Sequence, residues 1–229
     1  MTNIGYVREI TEIQQHLNRL GYRVDTDGLL GPETINTILK QLRDVEPAAE
    51  FVEKTFPKLA WGSKVSNSFK SRVIEIAKVL LMPPEGPDWL MACMAFESGR
   101  TFSASIKNKI SGATGLIQFM PLTAAALGTT TTELAGQNPL TQLDYVERYF
   151  EPYKGRLNSI DDVYMAILWP AAIGQPAEFP LWVRNLKHST AYIQNAGLDR
   201  NKDGLVTKQE AASKVRELLA EGKRDDNYA

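Results

Sequence analysis

Two short stretches near the N-terminus place apolar residues three and four positions apart, which is the spacing of one face of an α-helix. The residues that carry it are Ile10, Ile13, Leu17 and Leu20 in the first stretch and Ile35, Ile38, Leu39 and Leu42 in the second. The segment "DTDGLLGPET" between them is rich in Gly and Asp and predicts a turn. Pro32 suits the first position of the second helix. We therefore predict a small helical module within residues 1–48.

A longer region of apolar pattern follows a mixed segment. Residues 49–68 combine Pro, Ala, Gly and Ser with a few aromatic residues, and we interpret them as a linker. "RVIEIAKVLLM", from Arg72, predicts a helix that ends at Pro83. The next run, "WLMACMAFE", is apolar on nearly every side, which indicates a helix buried in a core, with Asp88 as its N-cap. Together these patterns predict an all-α fold with a larger domain over residues 69–229.

One carboxylate, Glu97, ends this apolar run just before Gly99. Partial burial disfavours the charged form of a carboxyl and raises its pKa, and the negative end of the helix dipole acts in the same direction. A glutamic acid that stays protonated near neutral pH can donate a proton to a leaving oxygen, as cleavage of a glycosidic bond requires. The alternative is a Glu whose side chain simply reaches solvent at the end of a helix.

The segment "SGATGLIQFMP", residues 111–121, is a small-residue turn that leads into an apolar stretch. Gly112 and Gly115 allow the backbone to approach a ligand closely. Gln118 offers a donor and acceptors to a sugar or an amide group. On these grounds alone, the segment is a tight loop that enters a helix.

Composition restricts the chemistry that the chain can perform. The net charge of −1 gives no electrostatic basis for binding nucleic acid or an acidic membrane surface. The only cysteine, Cys93, excludes an intrachain disulfide, and its apolar neighbours favour a buried thiol over a nucleophile. His16 and His188 are far apart and no HExxH occurs, which argues against a zinc hydrolase. We see no signal-peptide pattern and no stretch near the roughly 18 apolar residues of a membrane span.

The first module resembles the type 1 peptidoglycan-binding domain family over residues 7–44. The residues that carry the resemblance are Leu17, Leu20, Gly21, Tyr22, Asp27, Gly28, Gly31 and Thr34. The resemblance implies a three-helix module whose partner is peptidoglycan. An ordinary helical hairpin with a Gly-containing turn is the alternative.

"FES", around Glu97, and "SGATGLIQFMP" together resemble the soluble lytic transglycosylase and goose-type lysozyme superfamily, over residues 69–195. The resemblance implies a helical, lysozyme-like catalytic domain in which Glu97 is the catalytic acid and base and no cofactor takes part in catalysis. It also implies a saccharide cleft lined by the loop. The candidate substrate-binding residues in these two motifs are Ser98, Ser111, Gly112 and Gln118.

The later part of the domain departs from this family. The family has an "AYNxG"-like stretch that supplies a cleft tyrosine and an asparagine, whereas this chain has "DVYMAILWPAAIG" over residues 162–174. Trp169 and Pro170 stand at the place of the tyrosine–asparagine pair. Tyr164 is the first candidate for a cleft phenol and Tyr149 the second. Either can instead be a core aromatic residue with a satisfied hydroxyl.

The resemblance implies cleavage of the β-1,4 bond between N-acetylmuramic acid and N-acetylglucosamine. In the transglycosylase route, Glu97 also takes the proton from the 6-hydroxyl of the sugar as an anhydro ring closes, whereas in the lysozyme route water attacks. No motif assigns a second carboxylate, which favours the transglycosylase route. A muramidase on the same fold and a non-catalytic wall-binding or virion protein are the alternatives.

"DRNKDGLVTKQE", residues 199–210, fits the EF-hand pattern D-x-[DN]-x-[DN]-G-x5-E in full. Calcium takes six or more oxygen ligands around a tight bend. The predicted ligands are the side chains of Asp199, Asn201, Asp203 and Glu210 and the carbonyl of Leu205. Because one such loop is present, we expect a structural Ca²⁺ that fixes the C-terminal helix. The alternatives are an Asx-rich turn that caps a helix without metal, and a calcium-regulated interaction protein.

The two-module architecture resembles that of phage endolysins of Gram-negative hosts. This resemblance implies a soluble monomer that accumulates in the host bacterial cytoplasm. It would reach peptidoglycan in the periplasm after the inner membrane is permeabilised. We expect no nucleic-acid partner and no stable membrane insertion.

Overall fold

The computed structural model describes residues 7–44, 57–184 and 189–229. The chain divides into two compact units, Met1–Phe56 and Pro57–Ala229. The predicted linker over residues 49–68 overlaps both, and its residues 57–68 belong to the second unit.

The first unit contains two helices among the described residues, α1 (Val7–Arg19) and α2 (Pro32–Asp44). Both match the apolar spacing of the sequence. The predicted module also has a third helix, which does not occur among the described residues of this unit. Residues 45–56 lie outside the described part of the chain.

Gln14 of α1 is completely buried and holds the turn between the two helices. Its amide nitrogen donates to the Asp27 carboxylate, the Leu29 carbonyl and the Thr34 hydroxyl, at 2.9, 2.9 and 3.1 Å. Its amide oxygen accepts the N–H of Gly28 at 2.9 Å. Because a buried amide must find partners, this network fixes the Gly- and Asp-rich turn against α1.

The second unit is built mainly from helices and carries a two-stranded sheet. Its helices are α3 (Asn67–Val79), α4 (Gly86–Glu97), α5 (Pro121–Ala126), α6 (Thr131–Gly136), α7 (Pro139–Phe150), α8 (Ile160–Leu168), α9 (Ser189–Asn195), α10 (Lys208–Ala211) and α11 (Ser213–Gly222). The strands β1 (Pro180–Val183) and β2 (Leu205–Thr207) pair antiparallel, with Trp182 opposite Val206. The protein is therefore mostly helical, as predicted, although the sheet was not predicted. Within the described residues, no helix has both the length and the apolar composition that crossing a membrane requires.

Helix α4 lies in the hydrophobic core and packs against α3, α8 and α11. Every residue from Leu90 to Ala95 is at most 1% exposed, which confirms the predicted burial of this run. The prediction of Asp88 as N-cap was wrong, because the helix begins at Gly86. The Asp88 carboxylate instead accepts the N–H of Ala60 and pairs with Lys223, each at 2.8 Å.

The first residues of the second unit pack against the C-terminal end of the chain. The Leu59 N–H donates to the Ala229 carbonyl at 3.0 Å. Trp61 is 1% exposed, and its indole N–H donates to the Leu218 carbonyl at 3.0 Å. This part of the predicted linker is thus a piece of the core.

Candidate active site

Glu97 is the last residue of α4, and a Schellman motif ends the helix directly after it. The Gly99 N–H donates to the Phe96 carbonyl at 3.2 Å, and the Arg100 N–H donates to the Ala95 carbonyl at 2.7 Å. Gly99 has φ +60°, a conformation that glycine adopts without steric cost. The turn therefore stops a buried helix at the residue that carries the carboxyl.

The Glu97 carboxyl is partly buried, and burial raises its pKa from the ordinary 4.5 to about 7. Among the described residues, neither a cation nor a hydrogen-bond donor offsets this burial. Protonated and ionised forms are consequently both populated near neutral pH. A group in that condition can donate a proton and later accept one.

Two predicted cleft residues, Tyr149 and Tyr164, share the electrostatic surroundings of Glu97. Burial, followed by the charges of Tyr153 and Glu97, raises the pKa of Tyr149 to about 12. Burial, followed by the charges of Glu97 and Cys93, raises the pKa of Tyr164 above its ordinary value. Both phenols therefore stay neutral beside the carboxyl.

The packing of the two tyrosines explains their burial. The Tyr149 hydroxyl donates to the Ala166 carbonyl of α8 at 2.9 Å. Tyr164 is 5% exposed, and its ring meets the Phe96 ring edge to face with centroids 5.5 Å apart. Both aromatic residues pack against the core, and a role for either as a cleft phenol stays a prediction.

The predicted cleft loop folds as a tight turn. Thr114 and Phe119 exchange two backbone hydrogen bonds, of 3.0 and 2.9 Å. The Phe119 ring packs edge to face against Tyr149, with centroids 6.1 Å apart. Through Tyr149, the base of this loop is connected to the surroundings of Glu97.

The three candidate residues of the loop take different positions in it. Ser111 is exposed, and its hydroxyl oxygen accepts a backbone N–H of the same turn at 3.2 Å. Gly112 has φ +74°. Gln118 is half-buried, and its amide nitrogen donates to the carbonyls of Ile106 and Gly115 at 3.3 and 3.2 Å. The Gln118 nitrogen thus holds the turn, and its Oε1 accepts no hydrogen bond from the residues that the structure describes.

Ser98, predicted beside Glu97 as a substrate contact, is completely buried. Its hydroxyl oxygen accepts the Phe102 N–H at 2.9 Å. This hydrogen bond gives Ser98 a structural task in the turn after α4. Its contact with substrate remains a prediction.

Gln142 of α7 organises the cleft loop, and the sequence analysis did not identify it. The residue is completely buried. Its Oε1 accepts the Leu116 N–H at 2.7 Å, and its Nε2 donates to the carbonyls of Ala104 and Leu134 at 3.2 and 2.9 Å. One side chain therefore joins three separate backbone segments.

Gly115 explains how Gln142 comes so close to the loop. It has φ +86°, and a Cβ at this position would collide with the Gln142 amide. The signal available in the sequence was a glutamine directly before Leu143 on the buried side of a helix. Its partners could not be identified from local sequence.

The predicted calcium loop has the tight bend that its pattern requires. The Gly204 N–H donates to Asp199 Oδ2 at 3.0 Å, and Gly204 has φ +89°. The N–H of Asp203 donates to Asn201 Oδ1 at 2.9 Å, and the N–H of Leu205 donates to Asp203 Oδ1 at 2.8 Å. These hydrogen bonds link Asp199, Asn201, Asp203 and Leu205, which are four of the five predicted ligand residues, within the bend.

One feature of the bend fits a hard cation. Asp199 Oδ1 is buried and has no hydrogen-bond partner among the described residues, whereas its Oδ2 accepts the Tyr192 hydroxyl at 2.6 Å. Glu210 Oε1 accepts the Arg200 N–H at 3.2 Å, and its Oε2 accepts the Thr207 N–H at 3.0 Å. No three or more His, Cys, Asp or Glu side chains of the described chain form a group that could hold a metal. Binding would therefore require Glu210 to exchange its hydrogen bonds for the ion.

A buried ion pair, also not predicted, joins the end of this loop to α8. Lys208 Nζ lies 2.6 Å from Asp162 Oδ1 and donates to the Gln175 carbonyl at 2.8 Å. The Gly174 N–H donates to the same Asp162 oxygen at 2.8 Å. Burial alone would raise the pKa of Asp162, but hydrogen bonds from Lys208, Gly174 and Ser159 lower it below its ordinary value. The loop and the segment after α8 are therefore tied together inside the core.

No protein-family model matches the chain, and a comparison with curated proteins finds no relative. The resemblances described above therefore rest on their motifs. The geometry around Glu97 is the physical basis for a functional proposal.

Proposed function

We propose that this protein is an endolysin that cleaves the β-1,4 bond between N-acetylmuramic acid and N-acetylglucosamine in peptidoglycan, as a lytic transglycosylase. The observation that carries the proposal is the position of the partly buried Glu97 carboxyl at the end of a buried helix, where burial raises its pKa to about 7. One carboxyl that is partly protonated at neutral pH can serve both proton transfers of the reaction. Catalysis needs no cofactor.

In the proposed reaction, protonated Glu97 donates its proton to the glycosidic oxygen as the bond from that oxygen to C1 of N-acetylmuramic acid breaks. Positive charge develops at C1 and the ring oxygen. The 6-hydroxyl of the same sugar attacks C1, and the Glu97 carboxylate accepts its proton. The products are a 1,6-anhydromuramic acid end and a free 4-hydroxyl on N-acetylglucosamine, and Glu97 is protonated again.

The residues around Glu97 support this role by keeping the site uncharged. Burial raises the pKa of Tyr149 and of Tyr164, so neither phenol places a negative charge near the substrate. In the proposed cleft, Gly112 lets the backbone approach the glycan and Gln118 Oε1 accepts a sugar hydroxyl or N-acetyl N–H.

A muramidase on the same fold would use water in place of the 6-hydroxyl. In an inverting hydrolase, a second carboxylate activates that water. Burial, then the charge of Glu97 and then the charge of Asp161 raise the pKa of Cys93. Asp161 therefore lies in the same region of the core as Glu97. Both Asp161 oxygens accept from Arg216 at 2.6 Å, and this ion pair disfavours Asp161 as a base. The contact supports the single-acid route.

The proposal assigns complementary roles to the other parts of the chain. The first unit anchors the enzyme to peptidoglycan as a type 1 binding module, which raises the local concentration of substrate. Asp199, Asn201, Asp203, Leu205 and Glu210 would hold a structural Ca²⁺, which would fix the bend before the C-terminal helix. The protein acts as a monomer that accumulates in the host cytoplasm and reaches the periplasmic wall after the inner membrane is permeabilised.

Mass spectrometry of digested peptidoglycan tests the proposal. We expect anhydromuropeptides from the wild type and at least about a hundredfold slower release by Glu97→Gln, because general acid–base catalysis contributes on that order. Glu85→Gln, which replaces an exposed carboxylate just before the same helix, is the matched control and should act like the wild type. Reducing ends would identify a muramidase instead. Wall binding without any release of fragments by the wild type would identify a binding protein, and release that Glu97→Gln retains in full would exclude Glu97 as the catalytic acid.

A further inference from the structure

We propose that Trp169 is a stacking platform for a sugar ring of the glycan strand, at the end of the helix that packs against the helix of Glu97. The inference rests on the proposed function and adds a substrate contact outside the cleft loop. Trp169 and Pro170 stand where the family has its tyrosine–asparagine pair, and the resemblance assigns no role to a tryptophan at that place.

Trp169 directly follows α8 and presents a large aromatic side chain to solvent. It is 40% exposed, although Val163, Met165 and Ala166 of the same helix are completely buried. The backbone leaves the helical conformation at Trp169, with φ −157° and ψ 80°, and Pro170 follows. The indole therefore projects from the end of a helix whose remainder is fixed in the core.

A second tryptophan holds the indole of Trp169 in place. The rings of Trp169 and Trp182 meet edge to face, with centroids 5.6 Å apart and planes at 75°. Trp182 is 7% exposed and lies on β1, opposite the completely buried Val206 of β2. Because its neighbour is rigid, the Trp169 ring is ordered before a ligand arrives, which lowers the entropic cost of binding.

Helix α8 links this platform to the surroundings of Glu97. Tyr164 of α8 packs its ring against Phe96, the residue before Glu97, with centroids 5.5 Å apart, and Trp169 follows Tyr164 by five residues, a rise of about 7.5 Å along an α-helix. Ala166, whose carbonyl accepts the Tyr149 hydroxyl, lies closer still. We propose that a sugar of the glycan strand cut at Glu97 lies on the exposed indole.

The chemistry of the platform suits a sugar ring. The face of an aromatic ring carries partial negative charge, which attracts the C–H groups on the face of a pyranose. Residues 169–175 contain no charged side chain. Among the described residues, no acceptor takes the indole N–H of Trp169, so this donor is available to a hydroxyl or an N-acetyl carbonyl.

Tryptophan fluorescence can report on the contact, because all four tryptophans lie in the second unit. Full-length Glu97→Gln, which cannot cleave, is titrated with a β-1,4-linked tetramer of N-acetylglucosamine. We expect a saturable change in emission. Adding Trp169→Ala should remove that change and weaken the affinity, measured by calorimetry, at least about fivefold, as loss of an aromatic stacking partner does. Trp169→Phe, which keeps an aromatic face, should retain most of the affinity.

Ile193→Ala is the matched control, since it truncates an apolar side chain that is 69% exposed on α9, and it should bind like its parent. If Trp169→Ala lowers the melting temperature, the affinity of Trp169→Leu for the tetramer is measured instead. Leucine keeps apolar bulk against Trp182 but has no aromatic face, so this variant should also bind weakly. In the active enzyme, Trp169→Ala should raise KM and leave the pH profile unchanged.

Unchanged affinity in Trp169→Ala, or the absence of saturable binding by the parent, overturns the platform. If Glu97→Gln still abolishes release of anhydromuropeptides in that case, the proposed function stands without it. If Glu97→Gln leaves release intact, the proposed function fails independently.

Discussion

Glu97 derives its chemistry from its place in a helix. Residues Leu90–Ala95 are buried because other helices surround α4, and the carboxyl that ends this helix shares the burial. Its pKa consequently lies at about 7 in place of 4.5. The same burial has a consequence for stability that does not depend on the proposed reaction.

We predict that Glu97→Gln stabilises the protein at pH 8. As pH rises, the unfolded chain loses the Glu97 proton near 4.5 and the folded protein only near 7, so folding stability falls between these values. At pH 8 the penalty is complete and is on the order of 3 kcal/mol. Because glutamine cannot ionise, Glu97→Gln avoids this penalty. Urea unfolding should therefore give Glu97→Gln the larger free energy of unfolding at pH 8, with the difference closing near pH 4.

Glu133→Gln is a control with the opposite sign. Hydrogen bonds from Thr129, then from Thr130, lower the pKa of Glu133, which completes the capping box of α6. Its charged form favours the folded state, so this variant should be less stable than the wild type at pH 8. A Glu97→Gln variant that also loses stability at pH 8 would contradict the account from burial.

The sequence predicted individual residues where their signal is local. Glu97 stands between an apolar run and Gly99, and both features are visible within a few positions. The partners of Ser98 and Tyr149 are not visible in this way, because a hydroxyl can bond any backbone group that the fold brings near. The Tyr149 hydroxyl finds the Ala166 carbonyl, which belongs to another helix.

At the scale of elements, the cleft loop takes its shape from α7. Gln142 reaches from this helix to Leu116 in the loop, to Ala104 before it and to Leu134 in α6. Each bond satisfies a backbone group that would otherwise be left without a partner in the interior. The side chain thus replaces regular secondary structure in this part of the fold.

We predict that Gln142→Leu destabilises the protein by about 2–5 kcal/mol, because a buried backbone group left unsatisfied costs about 1–3 kcal/mol. Denaturant unfolding measures the change. Gln209→Leu, at an exposed position of α10, is the control and should stay within about 0.5 kcal/mol of the wild type. A Gln142→Leu variant as stable as this control would show that the loop does not need the amide.

The periodicity of apolar residues predicted helices better than their ends or the strands. It identified α4 as buried but misplaced the start of the helix, because the Asp88 carboxylate binds Ala60 and Lys223 from elsewhere in the unit and does not cap the helix. β2 spans Leu205–Thr207 inside the EF-hand pattern and was interpreted only as a metal loop. A strand of that length is defined by its partner β1, and sequence spacing does not reveal the partner.

At the scale of the whole molecule, the chain divides into two compact units, and the second begins within the segment predicted as a linker. Residues 57–68 have the mixed composition of a linker, yet Leu59 and Trp61 are buried by contacts with Ala229 and Leu218 at the other end of the chain. Contacts over such separations follow from the assembled core. The first and last residues of the second unit therefore pack against each other.

The same unit joins the predicted calcium loop to the core at two places. β2 pairs with β1, and Lys208, directly after β2, forms the buried pair with Asp162 of α8. Ordering of the loop should therefore be felt beyond residues 199–210. The effect of Ca²⁺ on the stability of the entire second unit therefore tests the metal prediction.

We predict that Ca²⁺ raises the melting temperature of the second unit. Asp199 Oδ1, buried without a partner among the described residues, would bind the ion. Ca²⁺ at a concentration of about 100 times its Kd adds about 2.7 kcal/mol to the free energy of unfolding. Calorimetry in Ca²⁺ and in excess chelator measures the shift. Glu210→Gln keeps an oxygen for the Thr207 N–H but loses the charge, so its melting temperature should respond to Ca²⁺ much less. Asp226→Asn, an exposed carboxylate outside the loop, should respond like the wild type. Identical melting with and without Ca²⁺ would mean that the bend is a cap for α10 alone, held by the capping box of Thr207 and Glu210.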